Sequence, residues 1–518
     1  MVFASLEFLM VFLPAFLLAY TASPAAWRNV VLLIGSWLFY GWLSPLFLAL
    51  HMLLTVVAWV GGLLVDRARQ GSKGRVRLLV ALIVFNTAVL CWYKYANIVA
   101  GTWNELITWY GAMPLDWQRV ALPAGLSFIV LQAISYLVDV HRHTVPVERS
   151  FINYATYISM FGHSIAGPII RYDWVRRELV QRYFTRQNFA LGARRFMIGM
   201  SMKVLVADTL SPLVDVAFHL QAPSLIDAWL GCLAYSLQLF FDFAGYSAMA
   251  IGLGLMLGFH FPENFNRPYL ARSIQDFWRR WHLSLSSWLR DYLYIALGGN
   301  RHGVWNTYRN LFLTMLLGGL WHGANVTYII WGAWHGMWLA IEKAVGINTK
   351  PYSFNPIRWA LTFLLVIIGW VIFRAENLHV AGRMYGAMFS FGEWQLSELN
   401  RASLTGLQVA TLVVAYLTLA FFGLRDFYQN REKDTGKSTK ADGPATAQPG
   451  TIKAVPGDAP GSLHMPGYTV GSEAQVQPAY WEADWPRYAM RALILLLFVA
   501  SILKLSAQSF SPFLYFQF

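Results

Sequence analysis

About a dozen long apolar runs are spread along the whole of this 518-residue chain, by window counting. Most approach the roughly 20 apolar residues with which an α-helix crosses the hydrocarbon core of a bilayer. Hydrophobic residues make up 57% of the chain and charged residues 13%, unlike the composition of soluble domains. The chain is therefore predicted to be an all-α polytopic membrane protein, with spans near residues 5–22, 28–43, 45–65, 77–99, 119–140, 190–219, 226–259, 306–324, 326–344, 357–374, 404–424 and 488–507.

The positive charge of the chain gathers in short segments between the apolar runs. The net charge is +13, and basic residues cluster in segments 66–77, 171–187 and 272–309. Basic residues in short loops mark the cytoplasmic side of a membrane protein, so the charge indicates orientation and not nucleic-acid binding. Three spans precede the first basic segment, which predicts an N-terminus outside the cytoplasm. The first run lacks the features of a cleaved signal and is expected to remain as a helix.

The composition changes after residue 425. Residues 430–480 are rich in Gly, Pro, Ala, Lys and Thr and have almost no large hydrophobic residues, so they cannot bury enough surface to fold. We therefore expect a transmembrane domain over 1–425, a disordered cytoplasmic linker over 426–486, and a C-terminal transmembrane helix with its tail over 487–518.

Two Trp-His-Gly triplets lie in "GGLWHGANVTYIIWGAWHG", residues 318–336. An ionisable side chain in a span usually faces a cavity or a partner, so His322 and His335 are candidate functional residues. The alternative is a neutral histidine hydrogen-bonded between helices. On one continuous helix the two imidazoles would point about 220° apart, whereas Gly323 and Asn325 allow one helix to end near His322 and another to begin. An imidazole at such a break suits a general base.

Residues 275–303 combine aromatic and basic side chains in a helical rhythm. The periodicity predicts one amphipathic helix at the inner membrane interface. Interfacial anchoring with snorkelling arginines explains the pattern, and the functional alternative is a basic vestibule for the phosphates of an acyl donor. The aromatic face carries Trp278, Trp281, Leu285, Trp288 and Tyr292, and the basic residues are Arg279, Arg280 and Arg290.

Further polar residues lie within or beside the apolar runs. His163 is in a short apolar segment, 161–171, between basic stretches, which predicts a re-entrant segment. Cys91 and Cys232 lie in apolar runs and indicate neither a disulfide nor a metal site. Several membrane-proximal carboxylates could orient an imidazole, and the sequence does not choose among Asp139, Asp208, Asp215, Asp242 and Asp291.

Four motifs follow one another along the chain: "IAGPIIR", "FDFAGYSAMAIGLG", "FWRRWHLSLSSWLRDYLY" and "LLGGLWHGANVTYIIWGAWHG". Together they make the chain resemble the membrane-bound O-acyltransferase family, and within it the branch of bacterial alginate O-acetylation. The resemblance extends to about residue 425. It implies a ring of about 11 to 13 tilted transmembrane helices, with re-entrant and interfacial helices, around a thin centre with a cytoplasmic funnel.

The resemblance also implies functional residues and partners. It makes His322, from "GGLWHG", the catalytic general base, and His282, from "RWH", a second catalytic histidine. It implies acetyl-CoA or another acyl thioester as the cytoplasmic donor, no bound cofactor or metal, and a multi-pass protein of the bacterial inner membrane with a periplasmic N-terminus. Partners would be periplasmic alginate acetyltransferases and the polymer-export complex. The donor-binding residues expected are Arg279, Arg280, Arg290, Trp281 and Asn325, and the supporting or tunnel residues are Asp291, His335 and Asp242.

Other functions fit the residues alone. A transporter or flippase could use buried histidines as a proton relay, and a scaffold could recruit periplasmic enzymes without chemistry. Within acyl transfer, the acceptor could be another exopolysaccharide such as cellulose, or teichoic acid that receives D-alanyl groups. The sequence lacks the usual serine and cysteine nucleophile motifs, which favours direct transfer with histidine as base.

Overall fold

The structure, a computed structural model, describes residues 1–42, 44–165, 167–347, 355–392, 394–438 and 487–507. Every regular element in these ranges is helical, which confirms the predicted all-α fold. The first α-helices are α1 Leu13–Ala22, α2 Arg28–Gly41, α3 Pro45–Arg67, α4 Lys73–Trp109, α5 Leu126–His141, α6 Phe151–Ser159, α7 Phe161–Ser164, α8 Tyr172–Val180, α9 Arg186–Ser201, α10 Asp208–His219 and α11 Leu225–Leu257. They are followed by α12 Ile274–Trp278, α13 Leu283–Trp288, α14 Val304–His322, α15 Val326–Val345, α16 Pro356–Arg374, α17 Leu378–Met388, α18 Glu398–Ser403, α19 Gly406–Ser438 and α20 Arg487–Ala507. π-Helical segments cover Glu7–Phe12, Met202–Ala207 and Leu289–Tyr294, and 3-10 turns cover Ala25–Trp27 and Pro268–Leu270.

Within the described ranges, seven helical stretches are long and apolar enough to cross a membrane. Every predicted apolar run contains a helix, although the run near 119–140 is helical only from Leu126 onwards, and the multi-pass membrane fold is confirmed. A total of 11 to 13 spans, their ring and the cytoplasmic funnel stay predictions. The seven stretches are Pro45–Arg67, Lys73–Trp109, Arg186–His219, Leu225–Leu257, Pro356–Arg374, Gly406–Arg425 and Tyr488–Ala507.

Helix α11 forms the centre of the protein. Its apolar part is completely buried, and it packs against α9 through two pairs of glycines, Gly192 with Gly252 and Gly199 with Gly245. A Cβ atom on any of the four would come within 2.7 Å of a backbone oxygen of the other helix. Small residues allow membrane helices to approach this closely, so these glycines fix the contact between α9 and α11.

The chain between α4 and α5, residues 112–125, is here called the strap, and it runs back along α4. Asn97 of α4 accepts a hydrogen bond from Val120 N at 2.9 Å and donates one to Val120 O at 2.8 Å. Asn104 makes the same two bonds with Leu115, at 2.8 and 2.9 Å. Two asparagine side chains therefore fasten an irregular segment to a helix.

Helices α14 and α15 contain the two Trp-His-Gly triplets, and the predicted break between them is confirmed. Helix α14 ends at His322, Gly323 is extended, and the side chain of Asn325 caps α15 by accepting a hydrogen bond from Thr327 N at 3.1 Å. The two helices pack closely at Gly319, where a Cβ atom would lie 2.2 Å from the backbone carbonyl oxygen of Tyr328.

The prediction of one amphipathic helix over 275–303 is wrong. The region folds as α12, α13 and the π-helical segment, with a break before α13 at which His282 adopts a left-handed φ of 44°. Asn264 stabilises this break, since its side-chain oxygen accepts hydrogen bonds from the nitrogen and the hydroxyl of Ser284, at 3.2 and 2.9 Å. The tryptophans of this region are buried, with Trp278, Trp281 and Trp288 at 9%, 4% and 8% exposure. The aromatic residues therefore pack inside the protein and do not form an interfacial anchor.

The short helices α6 and α7 contain nine and four residues, too few to cross a bilayer, which agrees with the prediction that 161–171 does not span. Helix α19 continues to Ser438, past the predicted start of the linker, and α20 begins at Arg487. The remainder of the predicted linker, 439–486, and the predicted tail, 508–518, lie outside the described residues.

Candidate active site

A cavity of about 90 Å³ lies at the C-terminal end of α14, with His322 in its wall. Its other walls come from α4, the end of the strap, the first turn of α5 and Ile165 of the predicted re-entrant segment. His322 is the last residue of α14, so its imidazole stands where the helix ends and the chain turns away. The polar and aromatic residues of the lining are Lys94, Ser127, Phe128, Trp321 and His322.

Helix α4 holds the end of α14 in place. The Lys94 ammonium donates a hydrogen bond to the carbonyl of Trp321, and the Tyr95 hydroxyl donates one to the carbonyl of Leu320 at 2.5 Å. Carbonyls in the last turn of a helix lack intrahelical partners, so these bonds satisfy groups that would otherwise be unpaired. Sequence reasoning missed Lys94, although an ionisable residue within an apolar run is itself a signal of function.

The first turn of α5 reaches the cavity because residue 125 is a glycine. Gly125 has a left-handed φ of 76°, and a Cβ there would lie 2.2 Å from the carbonyl oxygen of Ser164. A residue with a side chain would therefore push α5 away from the short helix α7. With glycine in place, the N-terminal end of α5, which is the positive end of the helix dipole, borders the cavity.

His282 lies beside the same indole ring as His322. The ring centroid of Trp321 is 6.4 Å from that of His282 and 5.0 Å from that of His322. Phe243 of α11 packs edge-on against His282 at 4.7 Å, and His282 is almost fully buried. The structure thus brings the two predicted catalytic histidines to the same indole ring, with His322 in the cavity wall and His282 outside the lining.

The predicted donor-binding arginines do not line the cavity. Arg280 Nε lies 2.8 Å from Asp276 Oδ1, and Arg290 Nε lies 2.6 Å from Asp291 Oδ1, whereas the side chain of Arg279 is exposed. Burial favours a higher pKa for Asp291, but Arg290 and a nearby arginine outweigh it and hold the pKa of this carboxyl below its ordinary value. Asp291 therefore belongs to an ion-pair group on the basic segment.

The other two predicted donor-binding residues have internal partners. The Trp281 ring packs against Phe265 and Trp370, each at a centroid distance of 5.0 Å. The Asn325 side chain caps α15 and donates a hydrogen bond to the carbonyl of Glu376. These contacts explain the two side chains by packing and by helix capping, away from the cavity.

The remaining predicted site residues also lie outside the cavity lining. Trp331 stands between the two triplet histidines, with its ring centroid 5.2 Å from His322 and 4.9 Å from His335. His335 is fully buried and accepts a hydrogen bond from Trp278 Nε1 at 3.3 Å. Asp242 is paired with Lys203, whose Nζ is 3.1 Å from Asp242 Oδ1.

Comparison with known proteins places these residues in a family. Residues 83–382 match the membrane-bound O-acyltransferase family, and this stretch includes both His282 and His322. A probable alginate O-acetylase of Pseudomonas syringae is 67% identical, and one of Pseudomonas fluorescens 59% identical, each over the full length of both chains. A peptidoglycan O-acetyltransferase of Helicobacter pylori is 34% identical and covers 76% of this chain and 81% of its own length.

These relatives share one kind of chemistry, the transfer of an acyl group to an oxygen atom, and two of the three match the whole chain. Together with the helices that can cross a membrane, they show that the protein is a membrane acyltransferase. They do not support the alternatives of a flippase or a scaffold without chemistry. The chain therefore belongs to the membrane-bound O-acyltransferase family.

Proposed function

We propose that the protein passes acetyl groups from a cytoplasmic thioester across the bacterial inner membrane for the O-acetylation of alginate, with His322 as general base. The observation that carries the proposal is the cavity of about 90 Å³ at His322. A cavity needs only about 10–15 Å³ of such space to hold one water molecule, so a small group such as acetyl has room beside His322. The names of the most similar relatives favour alginate as the polymer.

The proposed reaction is a direct transfer. The imidazole of His322 takes the proton of the acceptor hydroxyl while the hydroxyl oxygen attacks the carbonyl carbon of the thioester. The tetrahedral intermediate then collapses, the carbon–sulfur bond breaks, and the leaving thiolate takes the proton from His322. His282, whose ring centroid lies 6.4 Å from that of Trp321, is proposed to support the wall in which His322 lies.

The donor proposed is acetyl-CoA, and the basic segment around α12 and α13 is proposed to bind its phosphates. Arg280 and Arg290 are already paired with carboxylates, so donor phosphates would have to compete for them. Arg279 is exposed and is expected to contribute most. On the periplasmic side, which we assign to the N-terminus, the acetyl group would pass to alginate acetyltransferases that act with the polymer-export complex.

The test is an alginate-producing strain that lacks its own copy of the protein and carries this chain or a variant. With His322→Ala the secreted alginate should contain no acetyl groups, while the variant reaches the membrane in normal amount. His302→Ala, at an exposed histidine in the loop before α14, is the matched control and should acetylate normally. Full acetylation by the His322 variant would overturn the assignment of the base.

The Helicobacter relative favours a second candidate acceptor, a hydroxyl of peptidoglycan. The same strain separates the two candidates, because acetyl groups can be measured in alginate and in the isolated cell wall. Cellulose or teichoic acid would be identified by the same measurement on those polymers. If the wild-type chain restores acetyl groups only to another polymer, alginate is the wrong acceptor although acyl transfer stands.

A further inference from the structure

Lys94 brings a charged group to the cavity from the middle of a membrane-spanning helix. It lies in α4, one of the stretches able to cross a membrane, and it shares the cavity wall with His322. Its ammonium donates to the carbonyl of Trp321 and stands 5.5 Å from the centroid of the Trp321 ring. Charged side chains at membrane depth are costly to place and usually serve a pathway or a reaction.

Holding the end of α14 does not require a charge at this position. Tyr95, the next residue on α4, donates to the carbonyl of Leu320 in the same helical turn with a neutral hydroxyl. A neutral donor at residue 94 would do the same for Trp321 and would avoid the desolvation of an ammonium. An ammonium also has three N–H donors, and the bond to Trp321 uses one of them.

We propose that Lys94 is a second catalytic residue, which stabilises the oxyanion formed when the acceptor hydroxyl adds to the thioester carbonyl in the cavity. This inference rests on the proposed acyl transfer and adds a residue to it. As the new carbon–oxygen bond forms, the carbonyl electron pair moves onto the oxygen, and the acceptor proton moves to His322. When the carbonyl re-forms, the carbon–sulfur bond breaks and the thiolate leaves with the proton held by His322.

The surroundings of Lys94 suit this role. Most of the cavity lining is apolar, so a cation there acts on a negative charge more strongly than it would in bulk water. The N-terminal end of α5 lies in the same wall and adds the positive end of a helix dipole. The bond to Trp321 O fixes the ammonium next to the residue that precedes His322. Base and cation are therefore held by one helical turn.

Three substitutions of Lys94 and one control separate a catalytic charge from a structural hydrogen bond. Lys94→Gln keeps a donor but removes the charge, Lys94→Met removes both, and Lys94→Arg keeps the charge. Tyr95→Phe removes the neighbouring hydrogen bond to α14 and leaves the charge in place. The measurements are the acetyl content of secreted alginate in the complemented strain and, in membrane vesicles with the partner proteins, the initial transfer rate as acetyl-CoA is varied.

We expect kcat to fall about 10²–10³-fold in Lys94→Gln and Lys94→Met, the usual loss on removal of one oxyanion donor. KM for acetyl-CoA and the amount of protein in the membrane should stay near those of the wild type. Lys94→Arg should recover part of the rate, and Tyr95→Phe should keep most of it.

Two results would overturn the inference: near-normal acetylation by Lys94→Gln, or a loss in Tyr95→Phe as large as in Lys94→Gln. The His322→Ala arm shows whether the proposed function itself has failed. If the wild type acetylates and His322→Ala does not, a fully active Lys94→Gln refutes the role of Lys94 alone. If even the wild type restores no acetyl groups to any polymer, both proposals fall. If vesicles do not use acetyl-CoA, the acetyl content of alginate secreted by cells with each variant still tests the role of Lys94.

Discussion

The two histidines of the Trp-His-Gly triplets have different surroundings in the folded chain. His322 lines a cavity, whereas His335 is packed among the rings of Phe277, Trp278 and Trp331, at centroid distances of 6.0, 5.3 and 4.9 Å. From the sequence, either histidine could have been a neutral residue hydrogen-bonded between helices. This structural interpretation describes His335 well. It leaves His322 as the triplet histidine with access to a space where a reaction can occur.

His335→Ala should reduce stability and leave the chemistry intact. The substitution empties a site between three aromatic rings and leaves the Trp278 indole nitrogen without its acceptor, which together cost about 2–4 kcal/mol. The thermal midpoint of the purified protein in detergent should fall, and acetyl transfer at low temperature should persist. Complete loss of transfer with an unchanged midpoint would show that His335 takes part in the reaction.

His260, which lies outside the membrane-spanning helices, is expected to make the stability of the protein depend on pH. His260 Nδ1 lies 2.6 Å from Glu178 Oε1, and this hydrogen bond, opposed by burial, raises the pKa of His260 above its ordinary value. A group whose pKa is higher in the folded state than in the unfolded state stabilises the fold when it is protonated. The stabilisation is complete below the unfolded pKa, about 6.5, and is lost as pH rises through the folded pKa. The ion pair should therefore stabilise the protein at pH 6 more than at pH 8.5.

The effect should be small, because the His260 side chain is 36% exposed and solvent screens the pair. Between pH 6 and pH 8.5 we expect the thermal midpoint of the wild type to fall about 1–2 °C further than that of Glu178→Gln. Equal changes in the two proteins would show that the pair contributes nothing to stability.

Residue roles were predictable from the sequence where they depend on near neighbours. His322 at a helix end followed from the glycines and the asparagine after it. The ion pair of Arg280 with Asp276 was not predicted, although the two residues are only four positions apart. Lys94 was missed because its partner, Trp321, is 227 residues away. The mean hydropathy of α4 is hardly changed by a single lysine, and it does not indicate which residue that lysine contacts.

Among the elements, the strap has an attachment that can be tested with a matched pair of asparagine variants. Asn97 also accepts a hydrogen bond from Trp117 Nε1 at 3.0 Å, so it makes three bonds to the strap close to the cavity. Asn104 makes two bonds further from the cavity and is the matched control. Asn97→Ala should loosen the strap where it forms the cavity wall, and Asn104→Ala should loosen it elsewhere.

We expect Asn97→Ala to reduce acetyl transfer about tenfold, since a loose wall no longer holds the reacting groups in position and small displacements cost rate. The proportion of donor lost to hydrolysis should rise, because water enters an open site. Labelled acetyl-CoA measures both in vesicles. Equal transfer by both asparagine variants and the wild type would show that the strap does not shape the site.

Elements were predicted well where hydropathy decides them and poorly where distant contacts do. Each apolar run contains a helix, because a bilayer leaves the backbone few alternatives, but residues 119–125 of one run belong to the strap. The break at His282 was missed because helical periodicity continues across it. The break depends on Asn264, which comes from a loop packed beside α13 and meets Ser284 through the fold.

At the scale of the whole molecule, the C-terminal helix α20 is joined to the rest by a lysine. Lys504 Nζ donates to the carbonyl of Val204 at 2.9 Å and to the hydroxyl of Thr209. Val204 lies in the π-helical segment Met202–Ala207, where the regular hydrogen-bond ladder is interrupted. The same segment contains Lys203, which bridges Asp208 and Asp242. Polar groups from several helices thus bond to this irregular turn. The contact between Lys504 and Val204 joins residues 300 positions apart, so local sequence does not reveal it.

Lys504→Met should therefore weaken the attachment of α20 while the membrane fold persists. It leaves a buried carbonyl without its donor, at a cost of about 1–3 kcal/mol, and keeps an apolar side chain of similar length. We expect a lower thermal midpoint in detergent and faster proteolysis at the N-terminal end of α20. Ser506→Ala is the control, because the Ser506 hydroxyl is exposed and bonds only within α20, to Leu503 O. If α20 were an independent anchor, the two variants would be equally stable, and the contact with Val204 would have no role in holding the chain together.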